Sequence, residues 1–226
     1  MVGAAKGYRV KLCMPQCVST ERQHILEAMG AEVTLTHARE TTDGAIRKAY
    51  ELLDAEPDKF YMPNQYDNES NVLSHYETTG PEILAQTNGQ LDVFIAGMGT
   101  TGTLMGTGKF LKEKKPDIKA VGVEPTEQHT IQGLKNMKES IIPKIYNPDM
   151  LDEKITIEDG LAFETARALA MKEGIFVGMS SGAAVAGALR IAENLTSGTI
   201  VVILPDRGDR YLSTTLFRSI CAKCPP

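Results

Sequence analysis

No run of apolar residues in this chain of 226 approaches the ~20 needed to span a bilayer, and no signal peptide opens it. Neither sign of charge dominates. The 24 Lys and Arg against 29 Asp and Glu leave a formal charge of −5, so composition gives no push toward nucleic acid or an anionic membrane. The one basic cluster, Lys109, Lys112, Lys114 and Lys115, falls at the end of a helix pattern, where cations suit the negative end of the macrodipole. Cysteine is scarce: Cys13 and Cys17 lie near one end and Cys221 and Cys224 near the other, which is no secreted disulfide framework. Cys13 sits in a strand pattern and Cys17 in a turn, so neither a four-thiolate zinc site nor another metal is expected. His24, His37, His75 and His129 are scattered, with no H-x-x-x-H and no Ser or Cys nucleophile signature, which argues against a hydrolase triad. Low-complexity linkers and short repeats are missing too. A soluble, cytoplasmic protein remains, and its 42% of hydrophobic residues suffice for a real core.

Apolar, β-branched runs alternate with helix-period segments along the chain. "YRVKLCM" from Tyr8 reads as a strand, followed by a helix from Thr20, where Thr20 and Gln23 have capping-box spacing and Gly30 stands where a C-terminal cap belongs. "AEVTLT" reads as a strand and "GAIRKAYELLDAE" as a helix with Ile46, Ala49, Leu52 and Leu53 on one face. The next helical region is interrupted at Gly80-Pro81. "LDVFIAG", "KAVGVEP" and "TIVVILP" read as strands, with helices running to Lys114, through "LAFETARALAMKEG" and through "SSGAAVAGALRIAEN". Several strands are continuously apolar, which predicts an α/β fold with a mainly parallel sheet covered by helices on both faces.

"GMGTTGTLMG", residues 97–106, joins one such strand to a helix. A strand–glycine loop–helix unit offers backbone N–H groups and the positive end of a helix to an anion. Gly97, Gly99 and Gly102 also satisfy G-x-G-x-x-G, and Glu124 ends the next strand at a distance suited to a ribose contact, so a dinucleotide is one reading. A tight βα turn with no ligand is another. A nucleoside-triphosphate loop is excluded, because no Gly-Lys-Ser/Thr follows.

"GMGTTGT", "VGMSSGAAV" and "IVVILPDRGDRYLST", in this order, resemble the cysteine synthase (O-acetylserine sulfhydrylase) and cystathionine β-synthase family of pyridoxal-phosphate enzymes. "MPQCVSTERQHILEAMGAEV", "NQYDNESN", "TTGPEI", "GVEP" and "IQGL" extend the resemblance from residue 1 to about Phe217, and "GTTGT" with "DRGDRYLST" looks most like the B type. The resemblance implies the tryptophan synthase β-like fold (fold type II), with residues 1–68 a remnant of the smaller, substrate-side domain. Residues 69–226 would form the larger domain that holds pyridoxal 5'-phosphate. Gly99, Thr100, Thr101, Gly102 and Thr103 would then cup the cofactor phosphate, and Ser180 would meet the pyridine nitrogen. On residue type alone Ser180 serves equally as a helix N-cap. Gln65 and Gly133 match positions near the substrate, and "KNMKES" stands where A-type enzymes have a glycine-rich segment.

The family's Schiff-base lysine and the asparagine loop that binds substrate have no counterpart here, and Lys6 in "AKGYRV" reads as a helix end. The chain thus resembles the C-terminal two-thirds of such an enzyme, its N-terminal part missing and no catalytic residue assigned. The implied reaction is β-replacement, L-cysteine from O-acetylserine and sulfide, with the 226 residues alone inactive. Serine with homocysteine is the rival substrate pair. A non-catalytic anion-binding relative, or a scaffold for the C-terminal peptide of serine acetyltransferase, is the rival from another class. A homodimer is implied for the full-length enzyme, with neither nucleic acid nor membrane as partner.

Overall fold

The computed structural model describes residues 1–217. It divides into two compact units, residues 1–63 with the described residues from 209 on, and residues 64–208. The sequence reading put the boundary after residue 68 and kept everything beyond it together. Side-chain chemistry accounts for the return of the later segment to the first unit. The Arg22 guanidinium donates to the Tyr211 hydroxyl and lies 5.0 Å from its ring centroid. Glu21 accepts from Ser213 N and Oγ at 2.7 and 2.6 Å.

In the first unit a short helix, α1 (Val2–Ala5), precedes strand β1 (Lys11–Pro15), helix α2 (Thr20–Ala28), strand β2 (Glu32–Thr36) and helix α3 (Thr41–Ala55). β1 and β2 pair in parallel, Lys11 opposite Glu32, and α3 packs on both. Gly30, at φ +77°, ends α2 as expected: Gly30 N donates to Glu27 O and Ala31 N to Leu26 O, the Schellman pattern. The capping box is not formed. Ser19 is the N-cap and makes no side-chain cap bond, while Thr20 Oγ1 donates to Ser213 Oγ.

The second unit opens with α4 (Glu69–Ser74), a π turn (His75–Thr79) and α5 (Gly80–Gln86). The helical path is continuous through Gly80-Pro81, contrary to the interruption read from sequence. Proline is tolerated in a first helical turn, where its missing N–H is not needed, and a Cβ at Gly80 would meet the Phe110 ring at 2.8 Å. Strand β3 (Val93–Gly97), helix α6 (Gly102–Lys114), strands β4 (Lys119–Pro125) and β5 (Glu153–Ile157), helices α7 (Asp159–Ala168) and α8 (Met179–Ala192) and strand β6 (Ile200–Val202) follow. All four strands are parallel in the order β5-β4-β3-β6.

Val93, Phe94, Ile95 and Ala96 of β3 are all buried, as a strand covered on both faces requires. Phe94 and Ala96 join Leu104, Met105 and Leu111 of α6 in one core, while Ile95 and Val123 face α8 at Gly187, where a Cβ would touch both. Lys112 and Lys114 occupy the last turn of α6, and Lys112 pairs with Asp152 at 2.6 Å, so the basic cluster is a helix end. No helix among the described residues is long and apolar enough to cross a membrane.

The chain runs outward from β3 to β4 and β5, then crosses back to β6 on the other side of β3. In open α/β sheets ligands bind outside the carboxyl ends of the strands where the order reverses, here beside β3 and β6.

Candidate functional site

The glycine loop leaves the carboxyl end of β3 at that reversal. Thr101, the residue before α6, is buried at 3% exposure and holds φ +70°. A β-branched residue rarely adopts this left-handed conformation, which costs about 1–2 kcal/mol and persists only where its surroundings impose it. Helix geometry leaves the first N–H groups without intrahelical acceptors, and Met105 N is the first to find one, Thr101 O at 2.9 Å. Gly102 N makes a long bond to Thr100 Oγ1 at 3.4 Å, and the N–H groups of Thr103 and Leu104 lie at the positive end of the helix, suited to an anion. Thr101 Oγ1 is buried without a hydrogen-bond partner among the described residues. An unpartnered hydroxyl of this kind, beside a helix N-terminus, is able to meet a ligand.

Gly99 and Gly133 close the site. A Cβ at Gly99 would come 2.6 Å from Gly133 O, so the two backbones touch because residue 99 has no side chain. Lys135 N donates to Met98 O at 2.8 Å, fastening the segment after Gly133 onto the loop. Gly133, at φ +95°, faces Ser180, whose Oγ would lie 3.8 Å from a Cβ there. Ser180 is buried at 6% exposure in the first turn of α8. It does not cap that helix. Gly178 is the N-cap and no side-chain cap bond forms, so the Ser180 hydroxyl is left to the site. Val177 bridges Arg207 and Gly178 N donates to Asp206 O, which holds the N-terminus of α8 beside the segment after β6. Two helix N-termini and three loops thus meet within one unit.

Two residues that sequence reasoning left unassigned brace the cup. Asn71 Nδ2 donates to Thr100 Oγ1 at 3.1 Å and to Gln65 O at 2.8 Å. His75 Nε2 lies 3.0 Å from Thr103 Oγ1, and its Nδ1 lies 2.8 Å from Thr79 Oγ1. Burial pushes the His75 pKa down, favouring the neutral ring, which donates from one nitrogen and accepts at the other. His75 takes one role of the Thr103 hydroxyl, and Thr103 also offers its backbone N–H at the helix terminus. Gln65 is exposed, tied to the cup through its carbonyl. Asn71 and His75, one helical turn apart and followed by helix, formed the available signal.

Glu124 is 2% exposed; its Oε1 pairs with Lys154 at 2.8 Å and its Oε2 accepts from Met137 N at 3.1 Å. With both oxygens engaged it presents nothing to a ribose, and the dinucleotide reading loses its acidic partner. Cys13 and Cys17 carry thiols, and no group of three or more metal-ligating side chains exists among the described residues. Cys221 and Cys224 lie outside the described residues.

Comparison with known proteins agrees with this geometry. The family model described as pyridoxal-phosphate dependent enzyme matches residues 1–206. The cysteine synthase of Aquifex aeolicus is 46% identical over 96% of this chain and 68% of its own length. Cysteine synthase B of Escherichia coli is 42% identical, over 96% of this chain and 71% of its own. The crystal structure of cysteine synthase from Entamoeba histolytica superposes with a TM-score of 0.86 at 39% identity, covering 96% of this chain and 66% of that one. With the glycine loop, the uncapped serine and the parallel sheet all in the matched region, the chain belongs to the cysteine synthase family of pyridoxal-phosphate dependent enzymes.

Proposed function

We propose that this chain provides the phosphate-, ring- and substrate-side contacts of a pyridoxal-phosphate enzyme that makes L-cysteine from O-acetylserine and sulfide. The observation that carries the reading is the orphaned Thr101 hydroxyl in a cup at the N-terminus of α6, facing the uncapped Ser180 across Gly133. These residues fit the cofactor's two polar ends. The N–H groups of Gly102 and Thr103 and the hydroxyls of Thr100 and Thr101 would hold its phosphate, with Gly99 keeping the space open. Ser180 would meet the ring nitrogen as a neutral donor, keeping its proton and leaving the nitrogen uncharged, a setting that favours replacement at the β-carbon over transamination. When bound, the cofactor supplies the electron sink for loss of acetate from the substrate. Gln65 would receive the substrate carboxylate with its exposed amide, and the segment after Gly133 would exclude water.

Lys135 is the lysine whose backbone lies on the loop, and its ammonium points elsewhere, 3.5 Å from Ile141 O and 5.3 Å from the Tyr66 ring centroid. The 226 residues by themselves would accordingly hold the cofactor reversibly and without turnover, since the lysine on the loop among the described residues turns its amine away and forgoes the ~7–11 kcal/mol that proximity supplies. The same reading carries a cytoplasmic homodimer and the serine acetyltransferase C-terminal peptide as partner, to be examined by gel filtration and peptide pull-down.

The experiment has two arms. Titration of the chain with pyridoxal phosphate, then borohydride reduction and peptide mapping, should give saturable binding with no labelled lysine. A chimera joining the chain to the part of Escherichia coli cysteine synthase B that it does not match should make cysteine from O-acetylserine and sulfide. It should make no cystathionine from serine and homocysteine. Lack of binding, one stoichiometrically labelled lysine with turnover in the 226 residues, or a chimera that binds cofactor and makes only cystathionine overturns the proposal.

A further inference from the structure

Asn71 stands at the end of a braced turn. Asn68 Oδ1 accepts from Ser70 N at 2.9 Å, capping α4, and Asn71 N donates to Asn68 O at 2.9 Å. Its carboxamide is seated against Gly102, where a Cβ would collide with Asn71 Oδ1, Cγ and Nδ2. The two hydrogens of this one amide group reach different parts of the site, Thr100 Oγ1 in the anion cup and Gln65 O in the substrate-side segment. A hydroxyl that accepts from Asn71 has its own proton free for another acceptor, and donating that proton to an anion makes the oxygen a stronger acceptor in turn.

We infer that Asn71 is a positioning residue that couples the anion cup to the Gln65 segment, so that filling the cup with phosphate orders residues 65–71. The inference rests on the reading of residues 99–103 as a phosphate cup and adds a direction of communication to it. An anion on Thr100 tightens the Thr100–Asn71 bond, fixes the amide plane, and through the second hydrogen fixes the Gln65 carbonyl. The substrate-side segment thereby adopts its working geometry only when the cup is loaded. By linkage the effect is reciprocal, and a chain whose Gln65 segment cannot be fixed binds the anion less tightly by the same factor.

Hydrogen exchange of residues 65–71 in the 226-residue chain, with and without saturating pyridoxal phosphate or inorganic phosphate, tests this. Wild type should show slowed exchange there with either ligand. Asn71→Ala should lose the slowing and bind pyridoxal phosphate about five- to tenfold more weakly, the worth of about one hydrogen bond. Asn71→Asp has nearly the same shape but only accepts; it should lose the slowing too and bind more weakly still, because it adds negative charge beside the cup. A purely structural role for Asn71 would alter melting but leave no ligand-dependent exchange to lose. Wild-type binding without slowing in 65–71, slowing that survives in both variants, or wild-type affinity in Asn71→Ala overturns the coupling while sparing the cup. No binding of either ligand by wild type overturns both.

Discussion

Gly102→Ala is a small perturbation with a measurable expected cost, because the space a methyl needs is already filled. The Cβ would lie within 2.7 Å of Asn71 Nδ2 and closer still to its Cγ and Oδ1. Overpacking of this kind costs about 2 kcal/mol. If the carboxamide turns away, its hydrogen bonds to Gln65 O and Thr100 Oγ1 are lost, each worth about 1 kcal/mol. Alanine's better helix propensity returns about 1 kcal/mol. Strain and lost bonds are alternative outcomes of about 2 kcal/mol each, so the net loss is about 1 kcal/mol, a fall of about 2–4 °C in Tm for a chain of this size. Gly108→Ala is the matched control on the same helix. Its Cβ would meet Ala120 Cβ at 3.5 Å and Met150 Cε at 3.7 Å, ordinary contacts, so the propensity gain survives and Tm should rise slightly. Thermal melting by circular dichroism, with pyridoxal phosphate titration of both variants, provides the assay. Equal Tm for Gly102→Ala and wild type, or wild-type cofactor affinity in Gly102→Ala, would refute the steric account of the cup.

Burial lowers the His75 pKa, so the folded state resists the proton that the unfolded chain takes up below about pH 6.5. Stability from this group is full above that pH and is lost as pH falls toward the lowered folded-state pKa. Burial lowers His129 as well, against the pull of Asp159 and Glu139. Urea unfolding at pH 7.5 and 5.5 should therefore show wild type losing more stability than His75→Gln, by at most about 1.4 kcal/mol per pH unit, and equal losses would contradict the burial argument. Ser180→Ala removes a hydroxyl that caps nothing, so it should melt at or above the wild-type temperature while changing the absorption of bound pyridoxal phosphate; a drop of several degrees would return Ser180 to a structural role. Lys154→Met strands the Glu124 carboxylate in the interior and should cost about 2–3 kcal/mol, below the value for a fully buried pair because the lysine is 36% exposed. Denaturant unfolding checks it, and a neutral result would mean that Met137 N alone satisfies Glu124.

The strand–loop–helix unit was legible because its signals are local. "VFIAG" is apolar without interruption, and α6 ends at Lys114 with cations gathered in its last turn. β5 went unread because "EKITI" lies at the sheet edge with only Ile155 and Ile157 buried, a pattern shorter and weaker than a central strand's. The capping box failed for a reason no local window contains, since Thr20 is engaged by Ser213, 193 residues away. Asn71 and His75 were missed for the same reason. Their partners, Thr100 and Thr103, lie 29 and 28 residues on.

The glycines of the loop make the limit concrete. In sequence they share one meaning, backbone freedom, yet the left-handed residue in the loop is Thr101, and Gly97, Gly99, Gly102 and Gly106 all have negative φ or ordinary backbone. Each is glycine because something else already occupies the place of its Cβ: Leu134 at Gly97, Gly133 O at Gly99, the Asn71 amide at Gly102, and Val72 O at Gly106. Four positions in one motif thus answer to four separate partners. A spacing such as G-x-G-x-x-G records that the backbone is crowded without recording by what, which is why the same spacing admitted a dinucleotide until Glu124 was found facing Lys154 and Met137. What crowds the loop differs at each position, a neighbouring backbone at Gly99 and a carboxamide at Gly102, and between them lies a buried threonine hydroxyl with no partner among the described residues.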